Sequence, residues 1–224
     1  MKTEEILRNI RVDLRTSMDG IVSQSMREKG LGYKLNFGVR TVRLQEMAKN
    51  YNKNVELAET LWAQETRELK ILATLLFPIE SFTEEMADEW VKSIPNQEIR
   101  EQVCKNLFQE LSFADKLAGR WILSEDEDIQ ATGYWLLARL IIIRSPLTDS
   151  CNLAQVINSA IRDAADESYF LRNSALSALK YLGRLSQEVA RQILDNVSDY
   201  KDSDDKHKNE IYEGLSFEFS LLYS

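Results

Sequence analysis

The chain has 224 residues, 28 of them basic and 36 acidic, for a formal net charge of −8. Two distant cysteines, Cys104 and Cys151, and a single histidine, His207, exclude a disulfide scaffold, a cysteine-based zinc site and any mechanism needing two histidines. With 3 prolines and 8 glycines there is little punctuation for a β-rich chain, so composition points to long helices.

In chain order, the first 20 residues are charged every few positions and hold no apolar signal-peptide core. Asn54 is a good N-cap for NVELAETLW, where Val55, Leu57, Ala58, Leu61 and Trp62 recur at helical spacing. TRELKILATLLF follows and is stopped by Pro78. Ser81 with Glu84 has capping-box spacing for FTEEMADEWVKSI, which ends before Pro95, and NQEIREQVCKNLF begins at once. Ser124 with Glu127 has the same spacing ahead of a helix that runs through TGYWLLARLIIIR to Ser145-Pro146. Further periodic stretches run from Cys151 to Ala164, Ser168 to Leu182 and Ser186 to Val197. No strand is read. The longest apolar run, Leu136 to Ile143, is broken by Arg139 and is too short to span a bilayer. The expectation is a cytoplasmic protein with no membrane partner, no metal and no cofactor.

Charge is unevenly placed. Residues 1–53 hold 11 Lys/Arg against 6 Asp/Glu, a local +5, while the remaining 171 residues carry −13. A basic segment on an acidic body can attract an anionic partner locally although the whole molecule repels one at long range.

LAETLW, MADEW and KLAGRW each place an alanine three or four residues before a tryptophan, and Trp62, Trp90 and Trp121 follow one another at intervals of 28 and 31 residues. Each is followed by a polar turn and a second helix, in which Arg67, Arg100, Gln130 and Arg172 occupy equivalent places. A two-helix unit of about 30–40 residues, repeated, is the signature of an α-solenoid. The fold expected is therefore all-α, a right-handed α-solenoid of HEAT-like antiparallel helix pairs. One domain is expected over residues 1–200, with basic N-terminal helices over 1–53, followed by a polar tail over 201–224 that ends in a last short helix. Second helices of such units line a concave surface, so the arginines at their starts are candidates to line it. Trp62 and Trp121 read as packing between repeats.

Phe37-Gly38-Val39, Arg40 and Arg43, then Leu57-Ala58, Leu61-Trp62, Arg67-Glu68 and Leu72-Ala73 resemble the DNA alkylation repair enzyme family, the HEAT-like-repeat alkylpurine DNA glycosylases. AGRWILSEDEDIQATGYWLL is similar to that family's fourth repeat, and the resemblance covers about residues 30 to 185. It implies excision of N3- or N7-alkylated purines from DNA, by hydrolysis of a glycosidic bond that the alkyl cation has weakened. A carboxylate and aromatic faces favour the cationic transition state. The family supplies them from a Trp-x-x-x-Asp motif, a fourth-repeat arginine and a later tryptophan with a nearby arginine. Here Trp90 matches, but Ile94 stands at the aspartate position, Gln130-Ala131 at the arginine step, and Ser177 and Lys180 at the later pair.

Three readings follow. The chain is a repair glycosylase working through other residues, a non-catalytic relative that binds nucleic-acid shape, or a solenoid that takes a protein or peptide in its concave groove. If it is an enzyme, it is a DNA N-glycosylase acting on alkylated purines. The candidate contacts to double-stranded DNA are Arg40, Arg43, Arg67, Trp90, Arg100, Arg172 and Lys180, with Arg8, Arg11, Arg15, Arg27, Lys29 and Lys34 supplying charge.

Overall fold

Side-chain caps mark where the chain turns into helix. Asn54, Thr83, Asn96, Asp126, Asn152, Ser168, Ser186 and Asp205 each accept a hydrogen bond from a backbone N–H of the helix that follows. Two of these correct the capping boxes read from sequence. The helix after Pro78 is capped by Thr83, because Ser81 is taken into a short 3-10 turn over Ile79–Ser81. The helix expected behind Ser124 is capped by the Asp126 carboxylate, while the Ser124 hydroxyl accepts from Asp126 N at 3.1 Å.

In the computed structural model, residues 3–30, 32–150 and 152–223 are described, and Cys151 lies outside them. Among the described residues there are thirteen α-helices and no strand. No helix there is long and apolar enough to cross a membrane. By packing, the chain divides into two units, Met1–Leu111 and Ser112–Ser224.

The first unit holds α1 (Thr3–Thr16), α2 (Gly20–Glu28), α3 (Thr41–Ala48), α4 (Val55–Trp62), α5 (Arg67–Leu76), α6 (Glu84–Lys92) and α7 (Gln97–Asn106). α4 pairs with α5, and α3 and α7 also pack on α5. Surrounded in this way, α5 buries nine of its ten residues, including Arg67, Glu68 and Lys70. Trp62 of α4 and Trp90 of α6 stack at 4.1 Å with an interplanar angle of 3°, and Phe77 and Phe82 meet Trp90 edge-on. Trp62 therefore packs across repeats, as its spacing implies. Gly38 (φ +71) passes so close to the α1–α2 turn that a Cβ there would lie 2.1 Å from the carbonyl oxygen of Asp19.

The second unit holds α8 (Ala114–Ile122), α9 (Glu127–Ile142), α10 (Leu153–Ala164), α11 (Tyr169–Gly183), α12 (Gln187–Asn196) and α13 (Lys206–Leu222). α8 pairs with α9, α10 with α11, and α9 with α11. The segment 201–224, expected as a polar tail with a last short helix, carries the 17-residue α13. Its Ile211, Leu215 and Phe219 are buried, one residue per turn, and α13 packs on α11 and α12. The Phe219 ring sits where a Cβ on Gly183 would be, and the Tyr223 hydroxyl donates to Gly183 O at 2.8 Å.

Candidate nucleic-acid interface

Arg67 opens the helix that has neighbours on every side, and its side chain is only 2% exposed. Its Nε and Nη2 donate to Glu98, the closest contact being 2.6 Å, and Nη1 donates to Val39 O at 2.8 Å and to Glu68 at 3.0 Å. Glu68 accepts in turn from the backbone N–H groups of Phe37 (3.1 Å) and Val39 (3.2 Å). The Tyr33 hydroxyl donates its one proton to Glu98 and lies 3.1 Å from Asn96 Oδ1. The Arg-Glu pair is thus a clamp that ties the Phe37-Gly38-Val39 segment to α5 and α7. Burial pushes the Glu98 carboxyl up, but the hydrogen bonds from Arg67 and Tyr33 and the guanidinium charge outweigh it and hold the group below its ordinary value. Burial, reinforced by Glu98, pushes the Tyr33 phenol strongly up, so it stays a donor.

Arg100 is also inside, at 1% exposure, with Nη1 donating to Gln97 Oε1 at 3.0 Å. Neither arginine is presented to solvent. For Arg67 and Arg100 this corrects the expectation that the repeat-phased arginines line a groove: these two face the packing between helices. Gln130, at the equivalent place in α9, is buried too, donating to Ile122 O (3.1 Å) and to Asp163 Oδ2 (2.7 Å), which also accepts from Tyr134. Arg172 is half-buried, 5.5 Å over the Tyr169 ring, and Lys180 and Ser177 are half-buried on the same helix, α11.

The residues at the family's chemical positions are mostly core. Trp90 is 6% exposed in the aromatic cluster, and Ile94 and Ala131 are buried. Sequence reasoning passed over Lys70, whose Nζ donates to Trp62 O at 2.7 Å and lies 4.6 Å over the Trp62 ring. Burial pushes its ammonium pKa down, against the raising effect of Glu65. A lysine inside the apolar period of TRELKILATLLF was the available signal. Beside it opens a cavity of about 250 Å³ lined by Gly32, Tyr33, Lys34, Glu65, Lys70, Ser93 and Pro95.

What the structure does leave in solvent is the basic N-terminal segment. Arg8, Arg11, Arg15, Arg27, Lys29, Lys34, Arg40, Arg43, Lys49 and Lys53 are all exposed. Arg43 pairs with Glu46 and Lys34 with Glu65, and Arg11 donates to Gln64 at 3.0 Å. Arg40 and Arg43, on α3 and its cap, are the two predicted contacts that face water outright.

Comparison with known proteins bears on the fold and the family. A search of curated proteins found no match. A solved structure from a new family of proteins related to the HEAT-like repeat DNA glycosylases, with affinity for branched DNA structures, superposes with a TM-score of 0.78. The likeness covers 99% of this chain and 95% of that one at 16% sequence identity, so it establishes the fold. The sequence model of the DNA alkylation repair enzyme family matches residues 16–211. Spanning most of the chain, and including both the Phe37-Gly38-Val39 segment and the Arg67-Glu68 clamp that holds it, that match places this protein in the DNA alkylation repair enzyme family.

Proposed function

We propose that this protein binds DNA by its structure, branched DNA in particular, and does not excise bases. The observation that carries the reading is the burial of Trp90, stacked on Trp62, together with the buried apolar Ile94 four residues further on, just past the end of α6. A glycosylase of this family needs an accessible aromatic face and a carboxylate at those two places, and both positions here serve the core. Two features support DNA as the partner: a related protein has affinity for branched DNA, and ten cations of the first 53 residues stand in solvent. The net charge of −8 then acts as a brake on long-range attraction, leaving binding to local, salt-sensitive contacts.

The test is a pair of assays on the full chain. Binding to a four-way junction and to a linear duplex is expected to be measurable at about 50 mM salt and to weaken steeply as salt rises. No methylated purine is expected from alkylated DNA, even at high protein concentration. Release of purine makes the protein a glycosylase; absence of binding to either DNA moves the partner to a protein or peptide.

A further inference from the structure

The exposed charge of the first unit has a geometry. Arg8, Arg11 and Arg15 lie three and four residues apart on α1, so they form one ridge, while Ile10 and Leu14 are buried. Asp13, the acidic residue between them, is occupied elsewhere, accepting from the Tyr51 hydroxyl at 2.8 Å. From Arg8 to Arg15 the helix rises roughly 10 Å, about three nucleotide steps along one strand of B-DNA. Arg11 gives one hydrogen bond to Gln64, which steadies a guanidinium that has further donors to spare.

The ridge ends at an apolar tip. Met18 and Ile21, in and just after the α1–α2 turn, are 61% and 84% exposed. Exposed apolar side chains are ordinary on a loose loop, but this turn is braced from three directions. Asp19 N–H donates to Phe37 O at 2.9 Å, the Asp19 carboxylate caps α2 through Ile21 N and Val22 N at 3.1 Å each, and Gly38 packs against Asp19 O. Arg40, two residues beyond Gly38, puts another exposed cation near the turn. A rigid turn that holds two apolar side chains in water beside cations has its ordering cost met before any ligand arrives.

Resting on the reading that the protein binds branched DNA, we propose that this ridge and tip form the element that recognises the branch. Arg8, Arg11 and Arg15 lie along the phosphates of one strand. Met18 and Ile21 cover the base-pair face that is uncovered where two arms diverge. Along the interior of a linear duplex that face is hidden in the stack and only the two ends uncover one, so the tip gains little there; at a branch it removes apolar surface from water on both partners. The arginines act on any DNA, and the tip supplies the preference.

Anisotropy titrations of the full chain against a four-way junction and a linear duplex of equal length, at several salt concentrations, test this. For M18S/I21S, linear binding is expected to match wild type while the preference for the junction falls roughly tenfold, the scale of losing two modest apolar contacts. M18L/I21V restores the preference. For R8A/R11A/R15A, binding to both DNAs falls together, and the slope of log affinity against log salt drops by about 2–3. All five side chains are in solvent or at its edge, so thermal unfolding should be unchanged and serves as the folding control. An unaltered junction preference in M18S/I21S, or an unaltered salt slope in the triple variant, overturns the proposal while DNA binding itself stands. Wild-type protein that binds neither DNA overturns both.

Discussion

Among the described residues each unit carries a buried polar cluster that links neighbouring helices, and the two clusters distribute charge differently. In the first, the cation is buried between one buried acid and one partly open: the side chains of Arg67, Glu68 and Glu98 are 2%, 0% and 21% exposed. In the second, the acid is buried and the cation open, with Asp163 at 5% and Arg162 at 63%, and the inner donors are the neutral Gln130 and Tyr134. The links span similar distances in sequence, 31 residues for Arg67–Glu98 and 33 for Gln130–Asp163. At Arg67 and Gln130 the register that recurs between repeats is therefore a seam position filled by a hydrogen-bond donor. It does not specify an arginine, and it does not specify a ligand.

Removing the central charged residue of each cluster sharpens this contrast. Arg67→Ala leaves Glu98 and Glu68 facing each other without their cation and should cost about 3–5 kcal/mol of stability. Asp163→Ala leaves neutral donors unpaired and should cost less, roughly 2–4 kcal/mol. Urea unfolding measures both, with amide exchange assigning each loss to its own unit. An Asp163→Ala loss equal to or above that of Arg67→Ala breaks the distinction.

Two glycines extend the comparison to backbone. A Cβ at Gly38 meets the fixed carbonyl of Asp19 and at Gly183 meets the Phe219 ring, both at 2.1 Å. Gly38 also has a positive φ, whereas the ring on α13 can shift. Gly38→Ala is expected to lose roughly 2–4 kcal/mol and Gly183→Ala about 1–3 kcal/mol, both read by thermal unfolding.

The pH response should be a property of the first cluster. The folded pKa of Glu98 is depressed, so its contribution is fully present above the ordinary glutamate value of about 4.3. It is lost as pH falls through the folded value, because the unfolded chain then binds the additional proton. Glu98→Gln should flatten the stability profile in that acid window and lower stability at neutral pH; an unchanged acid limb would show that Glu98 does not govern it. Smallest of all, Arg43→Ala removes an exposed i,i+3 pair with Glu46 and should leave stability unchanged within error, while weakening DNA binding slightly.

Much of the fold was legible because helices announce themselves locally. Asn54 caps the helix it was read to cap, the stretches read from Ser168 and Ser186 are helices that begin there, and the tryptophan spacing exposed the repeat. The direction in which Arg67 and Arg100 point was not legible. A charged residue at a helix start reads as solvent-facing unless it is known that α3, α4 and α7 all pack on α5, and that depends on tertiary contacts. The buried stripe of α13 was hidden for another reason: Ile211, Leu215 and Phe219 make it one residue wide, and Phe217 and Leu221 lie outside it in solvent. The basic N-terminal segment was read correctly as a charge excess, and its arrangement as ridge and tip needed the turn at Asp19.

The Arg67 clamp also has a consequence in time. It joins residue 39 upstream to residue 98 downstream, and Tyr33 reaches Asn96 across 63 residues, so three separate stretches of chain must arrive before any of its charges is fully paired. Closing the longer loop adds only a logarithmic entropy cost, but a half-assembled clamp buries charge without its partners. Its bonds should therefore form after the folding barrier, giving Arg67 and Glu98 φ-values near zero and making the clamp a lock on unfolding instead of an accelerator of folding.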